Sequence, residues 1–257
     1  MQIAGRGEIE VWEGGSLWVL SAAHESARAE AHSHHAIQVT FCLDGRMELR
    51  TPTEQMAGPV VAVAADANHV FTAGGRVAFL FVEPESEAGR SIAATLLPPG
   101  RSLAALDPSY ATGLAARLAP EDGLALRRLS LAAIGKELTE AVAGPTSGKA
   151  LDPRVQAMMT FASQNLDKPL SLLRATSHIG LSPSRLRHLF VTQTGLAFKT
   201  YLLWLRIRRA VELYAAGASL TDSAHSAGFA DSSHFSRTFR RTFGVPAASL
   251  RLTRPGP

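Results

Sequence analysis

The sequence predicts an α+β chain in two parts: a strand-rich N-terminal half that closes into a β-barrel or sandwich, and an all-α C-terminal half. Three observations predict it. Up to Val82, short apolar and β-branched runs are broken by the turn signals Gly14-Gly15, Asp44-Gly45 and Gly74-Gly75. After Pro84 the apolar residues recur at helical spacing instead. The charge divides along the same line: residues 1–148 hold 11 Lys and Arg against 17 Asp and Glu, a net −6, whereas residues 149–257 hold 15 against 5, a net +10. An acidic module joined to a basic one assigns the second half to a polyanionic partner.

The bulk properties exclude several classes. With 257 residues, 46% hydrophobic and 19% charged, the chain has a globular composition, not a disordered, collagenous or disulfide-stapled one. Its one cysteine, Cys42, closes no internal disulfide and sits in a strand-like run, which reads as a structural thiol. Residues Met1 to Trp12 contain Glu8 and Glu10, and no stretch approaches the roughly 18 apolar residues of a membrane span, so a cytoplasmic protein without membrane contact is expected.

In chain order, strands are expected at Leu17–Leu20, Ile37–Leu43, Val60–Val63 and Val77–Val82. Asp44-Gly45, flanked by Val39–Leu43 and Met47–Arg50, predicts a β-hairpin, because both residues accept positive φ. Residues 84–148 read as a helical linker with helices at Ala88–Leu97, Pro108–Leu118 and Glu121–Val142. In the third, Leu124, Leu131, Ile134, Leu138 and Val142 make one apolar stripe, which suggests a homodimer interface, and Ala143–Gly148 reads as a flexible joint.

The basic part, residues 149–257, opens with Asp152-Pro153 as an N-cap and first-turn proline. Short helices follow from Ser171 to Gly180 and from Ser182 to about Gln193. A longer helix spans Phe198–Ala216, and two more follow, from Ser219 to Gly228 and from Asp231 to Gly244. Two helix-turn-helix units about 50 residues apart are implied. In the later one, Phe235, Phe239 and Phe243 recur every four residues and face inward, leaving Ser232, Ser233, Ser236, Arg237, Arg240 and Arg241 outside. The earlier one turns Leu186, Leu189 and Phe190 inward and Ser182, Ser184, Arg185, Arg187 and His188 outward. Arginine bonds guanine edges bidentately and serine takes bases or phosphates, so both faces suit the major groove. Trp204 reads as packing, and Arg206, Arg208 and Arg209 as phosphate contacts or solvated charge.

Leu181–Phe190, Gly195, the run Gly228–Gly244 and Pro246 together resemble the DNA-binding domain of AraC/XylS-type transcriptional regulators. The likeness spans about 100 residues, from Leu151 to Arg251, with departures at Thr176, Ser223 and His225. It implies a seven-helix domain with two recognition helices, double-stranded promoter DNA and RNA polymerase as partners, and no enzymatic activity.

In the acidic half, His32 and His34 alternate and so share a strand face, and His69 could join them in a site for a divalent metal. Here residues 1–83 resemble a cupin barrel, in which a His-x-His pair, an acidic ligand and a glycine precede a second motif with one more histidine. Gln38 stands at the acidic ligand, Ser26 at the first glycine, and Ala64, Asp66 and Ala73 at a later Pro, Gly and Asn. The combined resemblance implies a cupin-like sensing domain. His32, His34, Gln38 and His69 then bind a small-molecule effector without metal. The alternatives are a metal held by His32, His34 and His69, histidines of purely structural role, and a metal-dependent cupin enzyme fused to a DNA-binding domain.

Overall fold

The computed structural model describes residues 5–22, 27–119, 129–145, 149–166 and 170–252. Its contacts group the chain into two units, Met1–Gly148 with Phe239–Pro257, and Lys149–Thr238. Leu124 and Ser26, named above, lie outside the described residues, as does the end of the Ala143–Gly148 joint.

The first unit is built on two sheets. Strands β1 (Gly5–Trp12), β2 (Gly15–Ala22), β4 (Ile37–Cys42), β7 (Val60–Val63), β9 (Arg76–Val82), β10 (Leu103–Ala105) and β11 (Leu250–Leu252) form one, in the order β10-β7-β4-β9-β2-β1-β11. The other has the order β3-β8-β5-β6, from β3 (Ala27–Arg28), β5 (Arg46–Arg50), β6 (Gln55–Ala57) and β8 (Val70–Gly74). All pairings are antiparallel except that of β1 with β11.

Period-two alternation gives the large sheet two different faces. Leu17 and Val19 of β2, Ile37, Val39 and Phe41 of β4, and Ala78, Leu80 and Val82 of β9 enter one hydrophobic core. Helices α1 (Glu87–Leu96), α2 (Ser109–Arg117) and α3 (Leu131–Ala143) cover that face, contributing Ile92, Leu114, Leu131 and Ile134. The intervening residues Trp18, Leu20, Gln38, Phe79 and Phe81 look the other way, into a chamber that Phe71 of β8 also lines.

Two expectations change here. The strands flanking Asp44-Gly45 do not pair as a hairpin: β4 pairs with β7 and β9, and β5 with β6 and β8. Gly45, at φ +83°, instead turns the chain from one sheet to the other, fixed by the Arg76 amide donating to Asp44 Oδ1 at 2.5 Å. The stripe Leu131, Ile134, Leu138 and Val142 is not a free interface, because all four side chains are buried in the unit's own core. Burial of a leucine or isoleucine is worth about 1.5–3 kcal/mol, which fixes α3 on the sheet. Strands β10 and β11, three residues each, were not anticipated from the sequence.

The second unit holds α4 (Pro153–Gln164), α5 (Leu172–Ile179), α6 (Pro183–Thr194), α7 (Phe198–Ala215), α8 (Leu220–Ser226) and the start of α9 (Ser232–Phe243). Hydroxyl and carboxylate caps start all of these but α7, whose N-cap is Ala197. Ser171 Oγ accepts from the Arg174 amide, Ser219 Oγ from Asp222 at 3.0 Å, and Asp231 Oδ1 from His234 at 2.6 Å. Val155, Met158, Leu186, Phe190, Leu205 and Phe235 are fully buried, and Phe190 meets Phe198 and Tyr201 edge-on at 5.6 and 5.3 Å. Trp204 is buried, as expected of a packing residue. Among the departures from the family pattern, Thr176 is buried and bonds back to the Leu173 carbonyl at 2.6 Å, Ser223 is fully buried, and His225 is exposed.

Candidate functional site

The paired helices α5–α6 and α8–α9 each join through a turn containing a left-handed glycine, Gly180 at φ +70° and Gly228 at +82°. The second helix of each pair shows a polar face over an apolar one. On α6, Leu186 and Phe190 are buried while Ser184, Arg185, Arg187 and His188 are exposed. Ser182 is exposed too, but its hydroxyl serves as the helix cap, 3.4 Å from the Arg185 amide. On α9, Phe235, Phe239 and Phe243 are buried while Ser233, Ser236, Arg237, Arg240 and Arg241 are exposed and Ser232 is half-buried. Arg240 differs from the others, because its guanidinium bonds both carboxylate oxygens of Glu30, with Nε to Oε2 at 3.0 Å. That ion pair pulls the Glu30 carboxyl below its ordinary range.

Beside α6 runs a groove of about 750 Å³ whose lining includes Arg187, Lys199, Arg206 and His234. Lys199 and His234 were not singled out in the sequence, since neither lies on a periodic polar face. Arg209 is bonded to Glu212 at 2.8 Å, a solvated pair on α7.

The four residues predicted for the N-terminal site do come together. His32 and His69 bond each other's backbones in an isolated bridge, with N···O distances of 3.0 and 2.9 Å. Their ring centroids lie 4.2 Å apart, and His34 lies 5.1 Å from His69 and 5.8 Å from His32. One ligand atom from each histidine can be chosen so that all three fall within 4.8 Å of one another. Each ring donates Nδ1–H to a backbone carbonyl: His32 to Glu30 at 2.7 Å, His34 to Ala36 at 2.9 Å and His69 to Ala67 at 2.9 Å. A carbonyl can only accept, so it fixes the Nδ1–H tautomer and leaves Nε2 as the lone-pair nitrogen.

Burial, then mutual repulsion among the rings, holds His34 well below the usual histidine range and His32 down to about 4; burial lowers His69 as well. All three are therefore neutral at pH 7. His69 Nε2 is buried without a hydrogen-bond partner. Gln38 Oε1 stands 3.0 Å from His34 Nε2, while its Nε2 donates to Thr40 Oγ1 at 2.8 Å.

His32 and Gln38 open onto the aromatic chamber, about 40 Å³, walled by Trp18, Phe71, Phe79, Phe81 and Phe243. Phe243 packs on Trp18 at 4.9 Å and on Phe81 at 5.7 Å.

His35 points the opposite way, where sequence reasoning gave it no role. Its Nδ1 bonds Asp66 Oδ2 at 2.9 Å and its Nε2 bonds Glu85 Oε1 at 2.5 Å. Burial alone would lower its pKa, but the two carboxylates, Asp66 and then Glu85, outweigh it and raise the value to about 9. Asp66, at the position where the cupin motif has glycine, takes φ +61°. The ionic clamp of His35 holds this strained residue, whose amide donates to the His34 carbonyl at 2.9 Å.

Residues 176–253 match a family described as a helix-turn-helix domain. The HTH-type transcriptional activator RhaR of Cronobacter sakazakii is 37% identical over 103 residues, 40% of this chain and 35% of the relative. The bifunctional transcriptional activator/DNA repair enzyme Ada of Escherichia coli is 35% identical over 95 residues, 36% of this chain and 27% of the relative. The chain thus spans about a third or less of the length of these curated relatives. The fold is shared more widely: a crystal structure of ToxT from Vibrio cholerae superposes with a TM-score of 0.59 at 12% identity, covering 94% of this chain and 96% of ToxT. Among the described residues no helix is long and apolar enough to cross a membrane. Residues 176–253 thus carry a helix-turn-helix domain, and over 103 residues the chain is similar to an HTH-type transcriptional activator.

Proposed function

We propose that this chain binds promoter DNA through α6 and α9 and that a small ligand in the N-terminal chamber sets its occupancy. The observation that carries the reading is the repeated design of those helices, in which buried phenylalanines present exposed serines and arginines. An arginine on such a face reads guanine while its neighbours anchor phosphates. Ligand control requires that the effector bind one conformation better than another, since only differential affinity shifts an equilibrium. A homodimer would present four such helices to a two-fold operator, and RNA polymerase is the natural further partner of an activator.

The chamber limits the effector. A related fold, ToxT, has been crystallised with an unsaturated fatty acid bound. A 40 Å³ chamber admits only a few atoms, well short of the roughly 300–1,000 Å³ of drug-sized sites. The effector proposed here is therefore small and polar, meeting His32, His34, Gln38 and His69.

The test is a titration of the full chain against duplex DNA at several salt concentrations. Affinity should fall steeply as salt rises, because several phosphate contacts release counterions. Binding that ignores salt, or none on any promoter fragment, ends the proposal.

A further inference from the structure

Four basic side chains line the groove beside α6, and all belong to the second unit: Arg187 of α6, Lys199 and Arg206 of α7, and His234 near the start of α9. No carboxylate stands among the described residues that line it. Arg187, Lys199 and Arg206 have no ion-pair partner among the described residues, and Arg206 Nε is buried without a hydrogen-bond partner. Cations gathered without an acid repel one another, and a buried donor left unpaired is costly; an anion in the groove relieves the repulsion and offers that guanidinium an acceptor. The start of α7 adds a field of the same sign, because its N-cap, Ala197, offers no side-chain acceptor to the first amides. The rest of the lining is largely apolar: Leu170, Leu172 and Leu203 are half-buried, and Phe198 and Leu202 are buried. Lys199, Leu203 and Arg206 follow one another on α7 at steps of four and three, so they share a helix face on which a leucine separates two cations.

We propose that this groove binds a small organic phosphate, at a site separate from the aromatic chamber, with Lys199 and Arg206 holding the phosphate and Leu172 and Leu203 meeting an apolar body. Charge and shape together select that class. Three cations match a doubly charged head better than a single carboxylate, and the leucines require a body that a bare ion lacks. A DNA backbone needs cations on an open surface, not apolar walls around about 750 Å³. A concavity of that volume lies within the roughly 300–1,000 Å³ of small-molecule sites. Arg187 lies on the face assigned above to the major groove, so the occupant and DNA compete for it and the ligand acts on the DNA-binding unit directly. That competition rests on the regulatory reading; the site itself does not.

The experiment titrates the full chain at low salt with 1-naphthyl phosphate, and separately with inorganic phosphate and 1-naphthol, which are its head and body alone. The ester should bind one to one and at least about tenfold more tightly than either part. Lys199→Met and Arg206→Met, which keep an apolar stem, should each weaken it at least about fivefold. Lys199 is exposed, so its replacement spares the fold, and circular dichroism checks Arg206→Met. Saturating naphthyl phosphate should also lower affinity for duplex DNA severalfold, where 1-naphthol does not. Inorganic phosphate binding as tightly as the ester would make the groove a bare basic surface, and 1-naphthol binding as tightly would make it a plain apolar cleft. Either result overturns the site, as does binding indifferent to both Met variants. DNA affinity of the ligand-free chain keeps the two ideas apart: DNA binding without ester binding sinks only this inference, and ester binding without DNA binding sinks only the regulatory reading.

Discussion

Arg187 and Arg237 are both exposed on the second helices of the two helix-turn-helix pairs, Arg187 beside the buried Leu186 and Phe190 and Arg237 beside the buried Phe235 and Phe239. Replacing either with alanine should cost about 1–3 kcal/mol on the cognate site and relax preference at particular base pairs, as read by binding to a set of operator variants. A uniform loss on every sequence would make them phosphate contacts instead. Phe190→Ala acts on the fold beneath: a fully buried ring removed from contact with Phe198 and Tyr201 should lower stability by about 3–5 kcal/mol in denaturant melts. Acid titration checks a third residue. Asp152 caps α4, and the side-chain hydrogen bond from Arg154 holds its carboxyl at about 2. Its contribution is complete above the ordinary carboxylate value of 3.8 and is lost as pH falls through about 2. Asp152→Asn should therefore flatten that part of the acid limb and leave stability at neutral pH nearly unchanged in slope.

At the scale of elements, the helices of the basic half were legible because their signals are local: a capping hydroxyl or carboxylate, a period near four and a left-handed glycine at the end. Gly195 and Gly244 illustrate what the sequence still conceals. Both end recognition helices at positive φ, +74° and +69°. A Cβ on Gly195 would meet nothing within 4 Å, so Gly195→Ala should cost only the left-handed strain, about 1–2 kcal/mol. A Cβ on Gly244 would fall 2.5 Å from the Glu30 carbonyl oxygen and 2.6 Å from His32 Nδ1, so Gly244→Ala should be clearly the more damaging in the same melts. Nothing in residues 228–246 announces that difference, since the clash comes from a segment more than 200 residues away. The same limit explains the hairpin misread at Asp44-Gly45 and the stripe on α3: the pattern shows that a face is apolar, and only the tertiary fold shows what it meets. Leu131→Glu and Leu138→Glu place carboxylates in the core that also holds Ile134 and Leu80 and should give an unfolding or aggregating chain. A soluble, well-folded variant of changed oligomeric state would restore the stripe as an interface.

On the scale of the whole molecule, the histidine site and the second recognition helix are linked through one residue, Glu30. Its carbonyl accepts from His32 Nδ1, its amide donates to the Gly244 carbonyl at 2.9 Å, and its carboxylate holds Arg240. All of these residues belong to the first unit, as do Phe239 and Phe243 against Trp18. The charge division seen in the sequence gains a concrete meaning here: an acidic residue of the negative half pairs with an exposed arginine of the positive half. Because the pair is exposed, salt screens it and its strength is modest, but its position makes it competitive with phosphate for the same guanidinium. Glu30→Gln should raise DNA affinity severalfold at low salt, with the gain fading as salt rises. The gain should vanish when Arg240 is already alanine, a double-mutant cycle that isolates this pair from any general effect of removing an acidic charge. If Glu30→Gln strengthens binding equally in both backgrounds, it acts through the overall field, and Arg240 is not held away from DNA by this contact.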